Sequence, residues 1–169
     1  MITTRPANLS DLDGVMKVIR EAQAFLAEQK IDQWQNDFPN PAVITSDISK
    51  NTGHVFEKDG EIVAFFAFCP PPEPVYAVLE GGKWLNDTEN YGALHRVAVS
   101  NACRGTGIGH MIYEEAIRMS RERGYASVRV DTHPDNKIMR HTAESHGFKL
   151  CGTVYYPGNM KRIAFEKCL

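Results

Sequence analysis

At 169 residues, 43% hydrophobic and 24% charged, the chain has the size and composition of one globular domain spanning 1–169, with no low-complexity tract or internal repeat. A net charge of -2 and a pI near 6.3 supply no general electrostatic attraction for nucleic acid or an anionic membrane, and no apolar run approaches the roughly 18 residues of a membrane span. Four widely spaced cysteines, with no C-x-x-C pair and behind a start unlike a signal peptide, point to reduced thiols in the cytoplasm.

Residues 1–7 carry Ile2, Thr3 and Thr4 ahead of Pro6 and predict a short strand. Ser10 or Asp11 is the expected cap of the helix that follows, in which Leu12, Val15, Met16, Ile19, Ala22 and Leu26 recur at helical spacing. Trp34, Phe38 and two prolines interrupt residues 31–41, and a second short helix is expected over 42–49. Trp34 either packs there or lines a substrate cleft. Residues 54–58 and 61–68 flank Asp59-Gly60, a pair that turns with positive φ, and so predict a hairpin. The prolines of 69–74 cannot donate to a ladder and must leave the sheet, after which 75–79 is expected as an extra strand. Residues 80–90, with Glu80, Gly81, Gly82 and Trp84, read as a loop beside whatever the protein binds.

From Tyr91 the pattern becomes strand (93–99), glycine loop (104–109), helix (108–123), strand (126–131) and helix (135–146), closed by a hairpin of 148–156 and 161–167 around Pro157-Gly158-Asn159. Antiparallel strands at both ends of one central β-α-β-α unit predict an α+β fold with a mixed, mostly antiparallel sheet, not a doubly wound one.

The segment after residue 99 is the informative one. Arg104, Gly105, Thr106, Gly107, Ile108 and Gly109 follow a strand and open an amphipathic helix. Glycines there let successive N–H groups converge on one point, and the helix start adds positive potential, which together suit phosphate. Glycines that merely allow tight packing are the plainer alternative. A P-loop would need Gly-Lys-Ser/Thr where Gly109-His110-Met111 stands. A dinucleotide fold fits poorly, although Asp131 ends the next strand near where a ribose-binding acid would sit, because five residues separate the strand from the first glycine.

With Arg104, Gly107 and Gly109 matching R/Q-x-x-G-x-G/A after a hydrophobic strand, and with residues 128–131, Asn136 and Gly147-Phe148 matching a second element, the sequence resembles the GNAT superfamily of N-acetyltransferases, bacterial members especially, over nearly its whole length. The resemblance implies a GNAT-like sheet flanked by helices, acetyl-CoA as donor, and transfer to a primary amine of a small molecule or peptide. It implies further that the backbone of Val97, Ala98 and Val99 pairs with the pantetheine arm, that residues 104–109 hold the pyrophosphate, and that Asn136 contacts CoA. Relatives often dimerise, so a homodimer stays open.

Amine acetylation needs a base, because a free alkylamine is mostly protonated at neutral pH. His95, two residues before Val97 and so on the same strand face, is the candidate, ahead of Glu80 and Tyr91. The tyrosine that relatives often place seven residues after the helix asparagine is Ala143 here, which leaves the general acid unassigned and keeps a non-catalytic acyl-CoA-binding or sensing module as the alternative. His133 precedes Pro134 and either points into the cleft or bonds loop backbone. His141 and His146 do not share a helix face, and no metal is expected. Trp34, Glu80 and His133, with Phe38, Trp84, Tyr155 and Tyr156, are the candidates for the acceptor pocket.

Overall fold

In a computed structural model that describes residues 1–169, the chain forms seven strands and four α-helices of a mixed, mostly antiparallel sheet fold. It divides into two compact units, residues 1–68 with 96–112 and residues 69–95 with 113–169. No helix is long and apolar enough to cross a membrane.

In the first unit β1 (Ile2–Pro6) pairs antiparallel with β2 (Gly53–Lys58), which pairs in turn with β3 (Glu61–Cys69). The hairpin forms as expected: Asp59 and Gly60 take φ of 54° and 83°, the left-handed pair whose twist suits two right-twisted strands. Helix α1 (Leu12–Glu28) buries Val15, Met16, Val18, Ile19 and Leu26 from one stripe, and α2 (Pro41–Ser49) adds Ile44 and Ile48 to the same core as Val55 and Phe65. Trp34 packs, half-buried, against this cluster. Asp11 stands at the N-cap position of α1 as expected, but its side chain makes no cap bond there; a 3-10 turn, Leu9–Asp11, precedes the helix, and its cap Asn8 accepts the Ser10 N–H while the Asp11 carboxylate accepts the Asn8 N–H at 2.8 Å. A capping box fixes both residues at once, and it leaves Asp11 aimed at Arg5, whose guanidinium spans Asp11 and Glu57 with contacts of 2.8–3.1 Å.

The second unit orders its strands β4-β5-β7-β6. β4 (Tyr91–Val99) and β5 (Ser127–Thr132) are parallel; β7 (Met160–Cys168) is antiparallel to β5 and to β6 (Lys149–Tyr156). Helix α3 (Ile108–Glu122) and α4 (Lys137–Ser145) make the crossover and the return. The strand expected at 75–79 does not form. Pro74 fixes φ and starts a 3-10 turn, Pro74–Ala77, closed by the Tyr76 N–H on the Glu73 carbonyl, and only Glu80 reaches the sheet, exchanging two backbone bonds with Thr153. Beyond it the 80–90 loop is clamped. Glu166, fully buried, accepts the N–H groups of Leu85 and Asn86, the Ser127 hydroxyl and the Arg129 Nε at 2.6–3.1 Å, and the Arg129 guanidinium lies between the rings of Trp84 and Tyr91 at 4.0 and 3.9 Å. A buried charge pair this fully bonded fixes the loop's geometry even where it adds little net stability.

Candidate active site

Strand β4 changes character half-way along. Its ladder with β5 runs from Tyr91↔Ser127 to Leu94↔Val130, whereas β5 continues against β7 as far as Thr132↔Ile163. Arg96, two residues past Leu94, takes φ 53°, a left-handed conformation that a long side chain keeps only where its surroundings hold it. The holding group is Asp47 of α2, 5% exposed, whose carboxylate accepts from Nη2 at 2.6 Å and from Nε. Ala98 is buried between half-buried Val97 and Val99, and the strand ends with the Ser100 N–H on the Val63 carbonyl.

In the loop that follows, Gly105 and Gly107 have φ of 78° and 93°, and the Thr106 hydroxyl donates to the Cys103 carbonyl at 2.6 Å. A Cβ built on Gly105, Gly107 or Gly109 would meet no atom within 4 Å. Tight packing is therefore not what these glycines serve. They supply a backbone conformation and leave an open cradle at the start of α3. There the Met111 N–H bonds the Gly107 carbonyl at 3.1 Å, so the N–H groups before it belong to the helix end that has no intrahelical acceptors. The buried Ser100 hydroxyl makes no hydrogen bond. Open glycines, a helix start of positive potential and an unsatisfied hydroxyl are what a phosphate-bearing ligand with a polar arm requires, so the chain's own residues fit CoA. Arg104 stacks its guanidinium on the Phe25 ring at 3.7 Å, a cation–π contact that stiffens the loop's first residue.

His95 stands in a separate constellation within the second unit. Its Nε2 lies 2.8 Å from Oε2 of Glu73, and its Nδ1 lies 4.0 Å from Oδ2 of Asp131. That same Asp131 oxygen accepts from the hydroxyls of Tyr76 at 2.7 Å and Tyr156 at 2.8 Å. Tyr91 completes the frame, its hydroxyl accepting the Glu73 N–H at 2.8 Å. The imidazole is 9% exposed, and the Tyr76 ring packs against it at 5.8 Å. Burial first, then the Asp131 carboxylate, pushes the Tyr76 phenol well above its ordinary range, so it remains a donor to Asp131 at any ordinary pH.

Of the other residues singled out, Asn136 is the N-cap of α4, its Oδ1 accepting the Met139 N–H at 3.2 Å, and Ala143 is buried on that helix. His133 bonds backbone, its Nδ1 accepting the Asp135 N–H at 3.1 Å. Glu80 bridges to Thr153 through its main chain, and the residue is exposed. Tyr113 stacks on His146, and burial raises its phenol too. The sequence reading missed Glu73, Tyr76, Asp131 and Tyr156 as partners of His95. One partial signal was present: in Pro72-Glu73-Pro74 the proline that follows restricts the Glu73 backbone to extended conformations, although it says nothing of where the carboxylate points.

No curated protein matches the sequence. The model of the acetyltransferase (GNAT) family matches residues 19–148. Among solved structures, a GNAT-family acetyltransferase from Streptococcus agalactiae is 32% identical, with a TM-score of 0.91 over 99% of this chain and 95% of that one. Ribosomal-protein-alanine N-acetyltransferase from Brucella melitensis shares the fold at 20% identity and a TM-score of 0.71, covering 99% of both chains. PaiA N-acetyltransferase from Thermoplasma acidophilum, solved in complex with coenzyme A, does so at 16% identity and a TM-score of 0.74, over 100% of this chain and 99% of that one. A family model over most of the chain and a full-length relative agree with the open glycine cradle: the chain belongs to the GNAT acetyltransferase family, whose acetyl donor is acetyl-CoA, and is an N-acetyltransferase.

Proposed function

We propose that the chain, as one acetyltransferase domain in the cytoplasm, transfers the acetyl group of acetyl-CoA to a primary amine of a small molecule or peptide by direct attack in a ternary complex. Its four cysteines form no disulfide with one another, which suits a reducing compartment. The observation that supports the mechanism is the Glu73–His95 contact of 2.8 Å, because a carboxylate at Nε2 favours the tautomer that carries its proton there. With Nε2–H donated to the Glu73 carboxylate, the neutral ring presents Nδ1 as its proton acceptor. Once Nδ1 takes the amine's proton, the imidazolium lies between Glu73 at one nitrogen and Asp131 at the other, and both carboxylates stabilise it.

Acetyl-CoA, when bound, supplies an activated acyl carbon and a thiolate leaving group. The residues proposed to hold it are Val97, Ala98 and Val99, past the end of the β5 ladder, for the pantetheine arm; Arg104, Gly105, Thr106, Gly107, Ile108 and Gly109 for the pyrophosphate; and Asn136 at the start of α4. The acceptor's ammonium would lose one proton to His95 before attack, and the second proton, shed as nitrogen bonds to the acyl carbon, would balance the thiolate that acetyl-CoA supplies as leaving group. Calorimetry with acetyl-CoA and with CoA tests the donor site, and no measurable binding to either would end the reading. A screen of amines that follows release of free CoA thiol tests the rest.

A further inference from the structure

Val97, Ala98 and Val99 have one edge free of the β5 ladder, which ends at Leu94↔Val130, while β3 remains the neighbour of β4 on the other side. They alternate half-buried, buried, half-buried, so the segment keeps the pleat of a strand. Both of its ends are pinned. After it, the Ser100 N–H bonds the Val63 carbonyl of β3 at 2.8 Å. Before it stands Arg96 at φ 53°, where one left-handed residue bends the strand out of line. Glycine reaches that φ without steric cost and arginine does not, so Arg96 stays there only through what its side chain holds.

That side chain forks onto Asp47, with Nε on one carboxylate oxygen at 2.5 Å and Nη2 on the other at 2.6 Å. Asp47 is itself fixed. On α2 it stands between Ile44 and Ile48, both sealed into the first unit's core, and its main-chain carbonyl accepts the Thr52 N–H at 2.9 Å and the Thr52 hydroxyl at 3.1 Å. We propose that Arg96 and Asp47 are positioning residues for the acetyl donor: acting through the main chain, they set the direction in which the free edge of residues 97–99 meets the pantetheine arm. The proposal rests on the donor-site reading above. An extended amide arm pairs with a strand edge only where N–H and C=O groups face it at ladder spacing, and an edge fixed beforehand spares part of the ordering cost of binding. A planar fork on a buried carboxylate holds the bend in one orientation, which a single point charge does not.

The test divides the donor. Calorimetry with the full chain compares CoA with 3′-phospho-ADP, which is CoA without its pantetheine arm. In a double variant, Arg96→Gly keeps the left-handed φ accessible and deletes the anchor, while Asp47→Asn leaves no buried charge without a partner. CoA should bind about tenfold more weakly to it than to the parent, and 3′-phospho-ADP within about twofold. Arg96→Lys, which keeps the charge beside Asp47 but loses the fork, should weaken CoA alone by about threefold, and it carries the test if the double variant does not fold. Undiminished affinity for CoA overturns the positioning role. So does an equal loss for both ligands, because a general loosening of the unit would weaken both. A parent that binds 3′-phospho-ADP as tightly as CoA, or binds neither, overturns the donor-site reading beneath.

Discussion

The glycine loop of residues 104–109 and the cluster around His95 are built from opposite materials. The loop is main chain: two glycines at positive φ, a third with open space where a side chain would stand, and the start of a helix, all within six consecutive residues. The cluster is side chain. Glu73, His95, Asp131 and Tyr156 come from four separate places along the sequence and meet through contacts of 2.8–4.0 Å. A site made from consecutive backbone groups is specified locally and depends on conformation. One made from distant side chains is specified only by the fold, and it fails one group at a time. The two should therefore break differently.

The largest effect is expected in the loop. Gly107→Val places a β-branched residue at φ 93°, which valine does not adopt, and puts its side chain into the open cradle. Affinity for acetyl-CoA, read by calorimetry, should fall at least about 100-fold, because strain and obstruction of about 3 kcal/mol or more both act on the anion site. Undiminished binding would show that the main chain here is not the cradle. His95→Ala is expected next: kcat falls about 10²- to 10⁴-fold, the usual contribution of a positioned proton acceptor, while the KM for acetyl-CoA holds. Unchanged turnover would remove His95 from the chemistry.

The contrast also explains what could be read from the sequence. The loop was legible because strand, spacer, glycines and helix follow one another and each has a local signature. Alternation along one strand was enough to select His95. Its partners left no comparable trace. Glu73 lay in a proline stretch legible only as chain leaving the sheet; Tyr76 fell in a run whose apolar residues imitate a strand, until Pro74 turned it into a 3-10 helix; and Asp131 ended a strand in a way that equally suits a ribose-binding acid. The Asn8 cap was hidden for a related reason. Asn8, Ser10 and Asp11 are all capping residues within four positions, and only the reciprocal bond between Asn8 and Asp11 selects among them.

A smaller effect sharpens the side-chain half of the comparison. Glu73→Gln keeps the size of the group but replaces a charge-assisted hydrogen bond to His95 with a neutral one. The difference is worth about 1.4 kcal/mol, so kcat/KM should drop about tenfold, well short of the loss in His95→Ala. A loss as large as that of His95→Ala would mean that Glu73, not the histidine, takes the proton.

The smallest expected effect is on stability and separates folding of the loop's own unit from its chemistry. Asp11 is held by Arg5 and by the Asn8 N–H, and the hydrogen bond from Arg5, ahead of the others, keeps its carboxyl below the usual carboxylate range. A folded-state pKa below the unfolded one gives stability that is present above the unfolded value of about 3.9 and is lost as pH falls through the lower, folded value. Asp11→Asn should therefore cost about 1–2 kcal/mol near pH 7, where Arg5 is partly solvent-screened and keeps Glu57 as a second partner. Urea denaturation should show the gap between variant and parent closing as pH drops below about 4, the range in which the parent's own carboxyl protonates. A gap that stayed constant down to that pH would mean that Asp11 acts through the neutral geometry of the capping box, which asparagine could only half reproduce, and not through its charge on Arg5.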